Sequence, residues 1–575
     1  MQKKEIKELL NKRYNRDNWK LFKKKIFGNV EYFQKPKKIE TNNDKILEFV
    51  QIGNLKLKDK KNISLFELKL IKNLNIYKNK VELRNIVSKF IDQFSNHGVL
   101  VVFDNQGSDY RLTFSSKYSE FDDEGNIIER ETSSKRYTYL LGENESCTTA
   151  AERFHFLYNS RNNLNVKDML NAFNVDKITD DFFNTYKTLY LKLYDEIEKI
   201  IKKDKNITLT FKKNKISIEE FAKKFLGQLV FLYFLQKKGW LGIKKNKEKI
   251  FEKWGSGDKN FIRNLFEKKY CDYKNFFNDV LEPLFIAFST DLPENYYSKL
   301  DTKVPFLNGG LFDPIKNYNW LDTQIVISNN LIKEILDNFE MYNFTIQEED
   351  PQEKEIAIDP EMLGKVFENL LSIKDRKSKG TFYTPRKIAK YICEESLINF
   401  LKNFFLEDLE SIENIVKFKK SKKTDIFLKK NYLSLDEKIK NIKICDPAVG
   451  SGEFPVELMN ICISIRMNLN EYYNDKKRTP YLLKRNFIKN SIYGVDIENS
   501  AVETTKLRLW LSLVLDEENY DKILPLPNLD YKIFQGDSLP SFDSNLLALE
   551  IKDEINDIKN KYFQITNIQE KIKLK

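Results

Sequence analysis

Residues 443–459 read KICDPAVGSGEFPVELM. An apolar approach runs into an acid, a proline and two glycines, and apolar residues at helical spacing follow. The pattern predicts a strand, a tight turn and a helix. Gly450 and Gly452 carry no side chain, so backbone N–H groups there can approach a ligand closely, and the helix N-terminus favours negative charge. The stretch is a candidate anion or nucleotide pocket. A strand–helix turn that holds nothing has the same local signature.

Two further stretches decide between these readings. SIYGVDI (491–497) is a predicted strand, AVETTKLRLWLSLVL (501–515) a helix and YKIFQGDSL (531–539) a third strand. Such alternation implies a parallel sheet with helices on its faces. Asp446, Asp496 and Asp537 then sit at three successive strand ends, along the crevice where open α/β sheets bind ligands. A dinucleotide fingerprint needs a third glycine, and an acid about 20 residues on. Here the third glycine position is Pro455, and Asp496 lies much further away. Asp446 inside the turn faces a ligand that tolerates a carboxylate. S-adenosylmethionine (SAM) fits: its ammonium suits the acid and its carboxylate suits the N–H groups. Asp496 can accept the ribose hydroxyls and Asp537 the adenine amino group.

Upstream, the pattern changes twice. Residues 1–150 read strand, strand, helix, strand: EFVQIGNLKL (48–57), NISLFELKLI (62–71), a helix over 81–94, GVLVVFD (98–104), then YRLTFSSKY (110–118). Residues 151–375 are mostly helical, and the helix at 217–240 opens with S-x-x-E, a capping box. Residues 376–540 form the α/β region, and 541–575 a charged helical tail. The expected fold class is multidomain α/β: an N-terminal α/β domain, a helical connector and a Rossmann-like α/β domain.

The N-terminal expectation rests on NISLFELKL. Alternation along a strand puts Glu67 and Lys69 on one face. Asp59 stands eight residues earlier, in the preceding turn, with Glu48 as a rival for its role. Acid, then Glu-x-Lys, on a strand hairpin followed by a helix is a nuclease arrangement. Asp59 and Glu67 would bind Mg²⁺, and Lys69 would orient the attacking water. A solvated strand face is the competing reading.

Composition bounds these readings. A chain of 575 residues is too long for one core. A net charge of +12 permits a polyanionic partner. Five cysteines form no C-x-x-C pair, and two distant histidines argue against a zinc site. The N-terminus has no signal-peptide core, and the apolar run 225–235 is too short to span a bilayer. The expectation is a cytoplasmic protein with no membrane partner.

KGTFYTP (379–385), DPAVGSGEFP (446–455), GVDIENSAVETTKLRLWLSL (494–513) and NLDYKIFQGDSL (528–539) resemble successive motifs of adenine-specific DNA methyltransferases, in particular type IIG restriction–modification enzymes. VVFDNQGSDYRLTFSS (101–116) and VPFLNGGLFDP (304–314) are similar to the N-terminal and helical regions of the same enzymes. The resemblance implies a PD-(D/E)xK-like N-terminal α/β domain and an incomplete Rossmann-like SAM-dependent methyltransferase domain, in which Phe382, Tyr383, Thr384 and Pro385 close over the methionine end of SAM. Asp446, Pro447, Ala448, Gly450 and Gly452 would hold that moiety, Asp496 and Ile497 ribose and adenine, and Asp537 the adenine amino group. Residue 453 is Glu where this family usually has a small residue.

The family transfers methyl to a base amine through an Asn-Pro-Pro-Tyr type motif, whose ring stacks on the flipped-out base. No two prolines are adjacent here. This chain by itself is therefore expected to bind SAM but not to methylate. The missing motif, and a target-recognition domain, would lie on a C-terminal continuation or a partner chain, and double-stranded DNA is the expected substrate. Two other readings stay open: a non-catalytic SAM- and DNA-binding subunit, and a phage-defence adenine methyltransferase with a degenerate nuclease.

Overall fold

The computed structural model describes residues 1–41, 43–72, 98–116, 136–173, 175–248, 250–307, 325–344, 386–473, 478–517 and 523–539, with short pieces between them. The predicted helix at 81–94, the stretch PEMLGKVFENLLSI (360–373) with its helical apolar spacing and the tail 541–575 fall largely or wholly outside these residues. Among the described residues no helix is long and apolar enough to cross a membrane. The chain forms two units: Met1–Thr185 with Ile335–Asp359, and Tyr186–Glu334 with Pro360–Lys575.

Among the described residues, the first unit is built on a seven-stranded mixed sheet. Its strands are β1 (Val30–Lys38), β2 (Ile46–Lys56), β3 (Asn62–Leu70), β4 (Gly98–Asp104), β5 (Asp109–Ser116), β6 (Arg136–Gly142) and β7 (Glu353–Glu355), in that spatial order. β1, β2 and β3 form an antiparallel meander, while β4 lies parallel to β3. A parallel pair requires a crossover connection, and the sequence places its predicted helix in that interval. Ile63 to Leu68 of β3 are all buried, as a strand covered on both faces demands. Phe66, Leu68 and Leu70 pack with Val99, Val101 and Phe103 on one face. The other face lies under helices α1 (Lys3–Leu10), α2 (Arg16–Phe27) and α3 (Thr148–Ser160). Trp19 of α2 meets Tyr110 of β5 edge-on, and Phe22 meets Phe154 of α3.

The second unit joins a helical layer to a small parallel sheet. Helix α4 (Ile218–Lys238) opens with the predicted capping box, Ser217 and Glu220 each bonding the other's backbone. Its middle, Phe225–Gln236, is buried all round, so it is a core helix rather than an amphipathic surface one. The sheet runs β8 (Ile444–Asp446), β9 (Ile492–Asp496), β10 (Ile533–Gln535), all parallel. Helices α5 (Glu453–Asn468) and α7 (Asn499–Asp516) follow the ends of β8 and β9, and α6 (Pro480–Asn490) leads into β9. α4 lies along α7: Asn499 Nδ2 donates to Glu220 Oε1 at 3.0 Å at one end, and Lys238 Nζ to the Leu515 carbonyl at 2.5 Å at the other.

Candidate cofactor site and the acidic row of the N-terminal sheet

Strand register sets the acids. Asp446 pairs with Gly494, so Asp496 projects two residues further along its strand. Asp496 pairs in turn with Gln535, which leaves Asp537 two residues beyond that. The three carboxylates step along one C-terminal edge of the sheet, as the alternation of elements predicts.

The turn is fixed by hydrogen bonds to these acids. Gly450 N–H donates to Asp496 Oδ2 at 2.8 Å, and Glu498 N–H donates to Asp496 Oδ1 at 2.9 Å. Ser538 Oγ donates to the Pro447 carbonyl at 2.6 Å, tying the third strand's exit to the turn. Asp446 Oδ1 accepts from Ala448 N–H at 3.1 Å. Its other oxygen, Oδ2, is buried and has no hydrogen-bond partner among the described residues. Burial, then the neighbouring charge of Asp496, raises the Asp446 carboxyl above its ordinary range despite the Ala448 bond. Ile497 is 68% and Leu539 91% exposed at the same edge, so apolar surface flanks the acids. Thr384 is half-buried, while Phe382, Tyr383 and Pro385 lie outside the described residues.

The two glycines do different work. Gly450 has φ +52° with open space where a Cβ would stand, whereas at Gly452, φ +82°, a Cβ would meet the Thr505 side chain at 2.9 Å. A left-handed backbone costs a side-chain-bearing residue about 1–2 kcal/mol. Gly450→Ala is expected to cost about that much. Gly452→Ala adds a clash with Thr505, whose hydroxyl also holds the Gly450 carbonyl at 2.9 Å. Chemical denaturation should therefore show Gly452→Ala as clearly the more destabilising of the two.

Sequence reasoning missed the partner of Glu453. That carboxylate opens α5, is buried, and accepts from Arg508 Nη2 of α7 at 2.9 Å. Arg508 Nη1 donates to the Ser451 carbonyl at 2.8 Å. The larger residue at 453 is thus matched by a buried cation that also grips the glycine turn. Its signal was an arginine inside the apolar run LRLWL, since a buried arginine requires an acceptor.

In the first unit the structure brings Glu67 and Lys69 to one face and leaves Asp59 elsewhere. Asp59 is exposed in the β2–β3 turn, where it accepts from Val166 N–H at 3.3 Å. Glu67 lies five residues up β3 from Asn62, about 17 Å at strand rise. Glu48 instead pairs with Lys69, and Lys69 with Asp104 on the next strand. The acid beside Glu-x-Lys is therefore Glu48, with Asp104 across from it. Arg16 of α2 joins Glu48 to Glu67, donating to Glu48 Oε2 at 2.9 Å and through Nε to Glu67 Oε2. Among the described residues, no group of three carboxylate, cysteine or histidine side chains is placed to hold a metal ion. The Asp59–Glu67 pair expected for Mg²⁺ does not form.

The open parallel sheet, the glycine turn and the acids at successive strand ends place the candidate site at the edge where open α/β sheets bind ligands. Residues 418–546 match the sequence profile of the DNA-methyltransferase domain of MmeI. A Methanocaldococcus jannaschii protein named as a type II restriction enzyme and methyltransferase is 29% identical over 421 residues, 65% of this chain and 33% of its own length. DNA methyltransferase A of Bacillus subtilis is 24% identical over 261 residues, 44% of this chain and 24% of its own. The chain thus spans about a third and a quarter of these relatives. Two solved structures are also similar. The type IIL restriction–modification enzyme MmeI in complex with DNA has TM-score 0.40 and 16% identity, covering 63% of this chain and 41% of that one. The DrdV–DNA complex has TM-score 0.25 and 10% identity, covering 90% and 38%. These similarities place residues 418–546 with a DNA-methyltransferase domain and make the chain similar to restriction–modification enzymes.

Proposed function

We propose that this chain is the SAM-binding front of an adenine-N6 DNA methyltransferase of the type IIG kind, acting on double-stranded DNA. The observation that carries the reading is the buried Oδ2 of Asp446, without a hydrogen-bond partner among the described residues, at the head of a row of three strand-end acids. A buried carboxylate oxygen without a donor is costly, and an ammonium supplies the donor. Asp446 and the turn at Ala448 and Gly450 would hold the methionine end of SAM. Asp496 has bonded one lone pair on each oxygen and keeps the others for the ribose hydroxyls. Asp537 and Ile497 would receive adenine, and Phe382 to Pro385 would close over the methionine end. When bound, SAM supplies the methyl group.

The base-amine motif is proposed to come from a C-terminal continuation or partner chain. β8 is an edge strand among the described residues, so its free backbone groups offer a place for a further strand beside Asp446. The reading is tested on the purified chain with unmethylated plasmid DNA and labelled SAM. Calorimetry should show one SAM site, with no label transferred to DNA. Adding a C-terminal fragment that carries an Asn-Pro-Pro-Tyr type motif should start transfer to adenine N6. Transfer by the chain alone, or no SAM binding at all, would overturn it.

A second reading concerns the first unit, a Mg²⁺-dependent endonuclease domain on Glu67 and Lys69. It is favoured by the register that lines up Glu48, Lys69 and Asp104 beside Glu67, with Glu48 in the place first given to Asp59.

A further inference from the structure

The acidic row of the first unit already contains a cation. α2 presents Arg16, Trp19, Lys23 and Ile26 at helical spacing toward the sheet face that carries Glu67. Arg16 spans the two carboxylates, with Nη2 on Glu48 Oε2 at 2.9 Å and Nε on Glu67 Oε2. The Glu67 side chain is 4% exposed, and its second oxygen, Oε1, has no hydrogen-bond partner among the described residues. Lys23 Nζ, fully buried and also without one, stands 4.0 Å from that oxygen. In a metal nuclease two such carboxylates share a divalent ion. Here they share a guanidinium, whose planar fork matches paired carboxylates.

We propose that Arg16 is a built-in counter-ion that closes the divalent-metal position of the first unit. Mg²⁺ is excluded while Arg16 bridges Glu48 and Glu67, and withdrawal of Arg16 opens a site made by those two carboxylates with Lys69 beside it. The metal and the guanidinium compete for the same oxygens, and Lys23 adds a second positive charge 4.0 Å from Glu67. This rests on the nuclease reading only for the kind of ion expected, and its readout is metal binding rather than cleavage. Arg16 is about one third exposed, so its release requires no unfolding of the core beneath it.

The experiment is Mn²⁺ binding, as a spectroscopic stand-in for Mg²⁺, to the whole chain, followed by electron paramagnetic resonance. The wild-type protein should show no saturable binding up to millimolar ion. Arg16→Gln should take up one ion at least tenfold more tightly, and Glu67→Gln added to it should abolish the site. Arg16→Lys, which keeps a charge but not the fork, should bind at an intermediate level. That variant carries the test if Arg16→Gln fails to fold, which amide exchange in β3 would report. The proposal is overturned if the wild-type chain binds Mn²⁺ as tightly as the variants. It is equally overturned if natively folded Arg16 variants bind none. DNA cleavage is scored separately: a variant that binds the ion and cuts nothing sustains the closure and removes the nuclease reading.

Discussion

Replacement of Asp496 by alanine is expected to weaken SAM binding at least a hundredfold, with the fold of the second unit retained. The carboxylate sits at a strand end and already holds two backbone N–H groups, one in the glycine turn and one before α7. The variant loses these bonds, which shape the turn, together with those proposed to the ribose hydroxyls. Hydrogen bonds to a charged group contribute about 1.5–3 kcal/mol each, and about 1.4 kcal/mol is tenfold in affinity. Loss of the two ribose bonds alone thus accounts for about a hundredfold. Asp496→Asn keeps an acceptor for Gly450 and should fall between the two. Calorimetry with SAM on the three proteins checks the order. An alanine variant that binds as the wild type does would remove Asp496 from the pocket.

Asp446 gives the same pocket a pH signature. Its folded carboxyl takes up a proton more readily than an ordinary aspartate, because burial and the charge of Asp496 oppose ionisation. In the ligand-free protein this favours the protonated form, so its contribution to stability is present at low pH and is lost as pH rises through the raised value. Binding an ammonium requires the charged form. SAM affinity should therefore climb as pH rises through that value, above the usual aspartate range, and the climb should flatten in Asp446→Asn.

The cofactor edge was legible because its signals are local. A glycine pair, a following helix and an acid at each strand end are short words, and parallel strands joined by helices can be set side by side in few ways. The acidic row of the first unit was not legible for the opposite reason. From Gly53 to Lys56, β2 pairs with β3 in one register, but an extra residue at Ile52 shifts the pairing by one from Gln51 onward. Without that bulge Glu48 would oppose Leu70 and face away from Glu67. With it, Glu48 opposes Lys69. A one-residue slip changes the face of every side chain beyond it, and in FVQIGNLKL only the strand glycine Gly53 hints at a bulge, without fixing the register beyond it. Asp59, eight residues before Glu67, fits the spacing and fails on geometry. Arg16 lies 51 residues from Glu67, and only the docking of α2 on the sheet joins them.

Arg508→Met is expected to be the most damaging single change in the second unit. The guanidinium and Glu453 are both buried, and the pair bridges α7 to the first turn of α5. Removing one member of a buried pair leaves an uncompensated charge and costs about 3–5 kcal/mol. The Ser451 carbonyl loses its donor at the same time, beside the glycine that Thr505 packs against. A chain of two units need not unfold in one step, so the effect is read locally by amide exchange over 443–459 and 499–516. A loss of this size speeds exchange through opening of that region by a hundredfold or more. Glu453→Gln combined with Arg508→Met removes the stranded charge and should recover much of the protection, because deleting both partners costs far less than deleting one. The double variant restores no donor to Ser451, so its SAM affinity should remain below wild type while its stability returns. Equal exchange in Arg508→Met and the wild-type protein would show that the pair does not brace the turn.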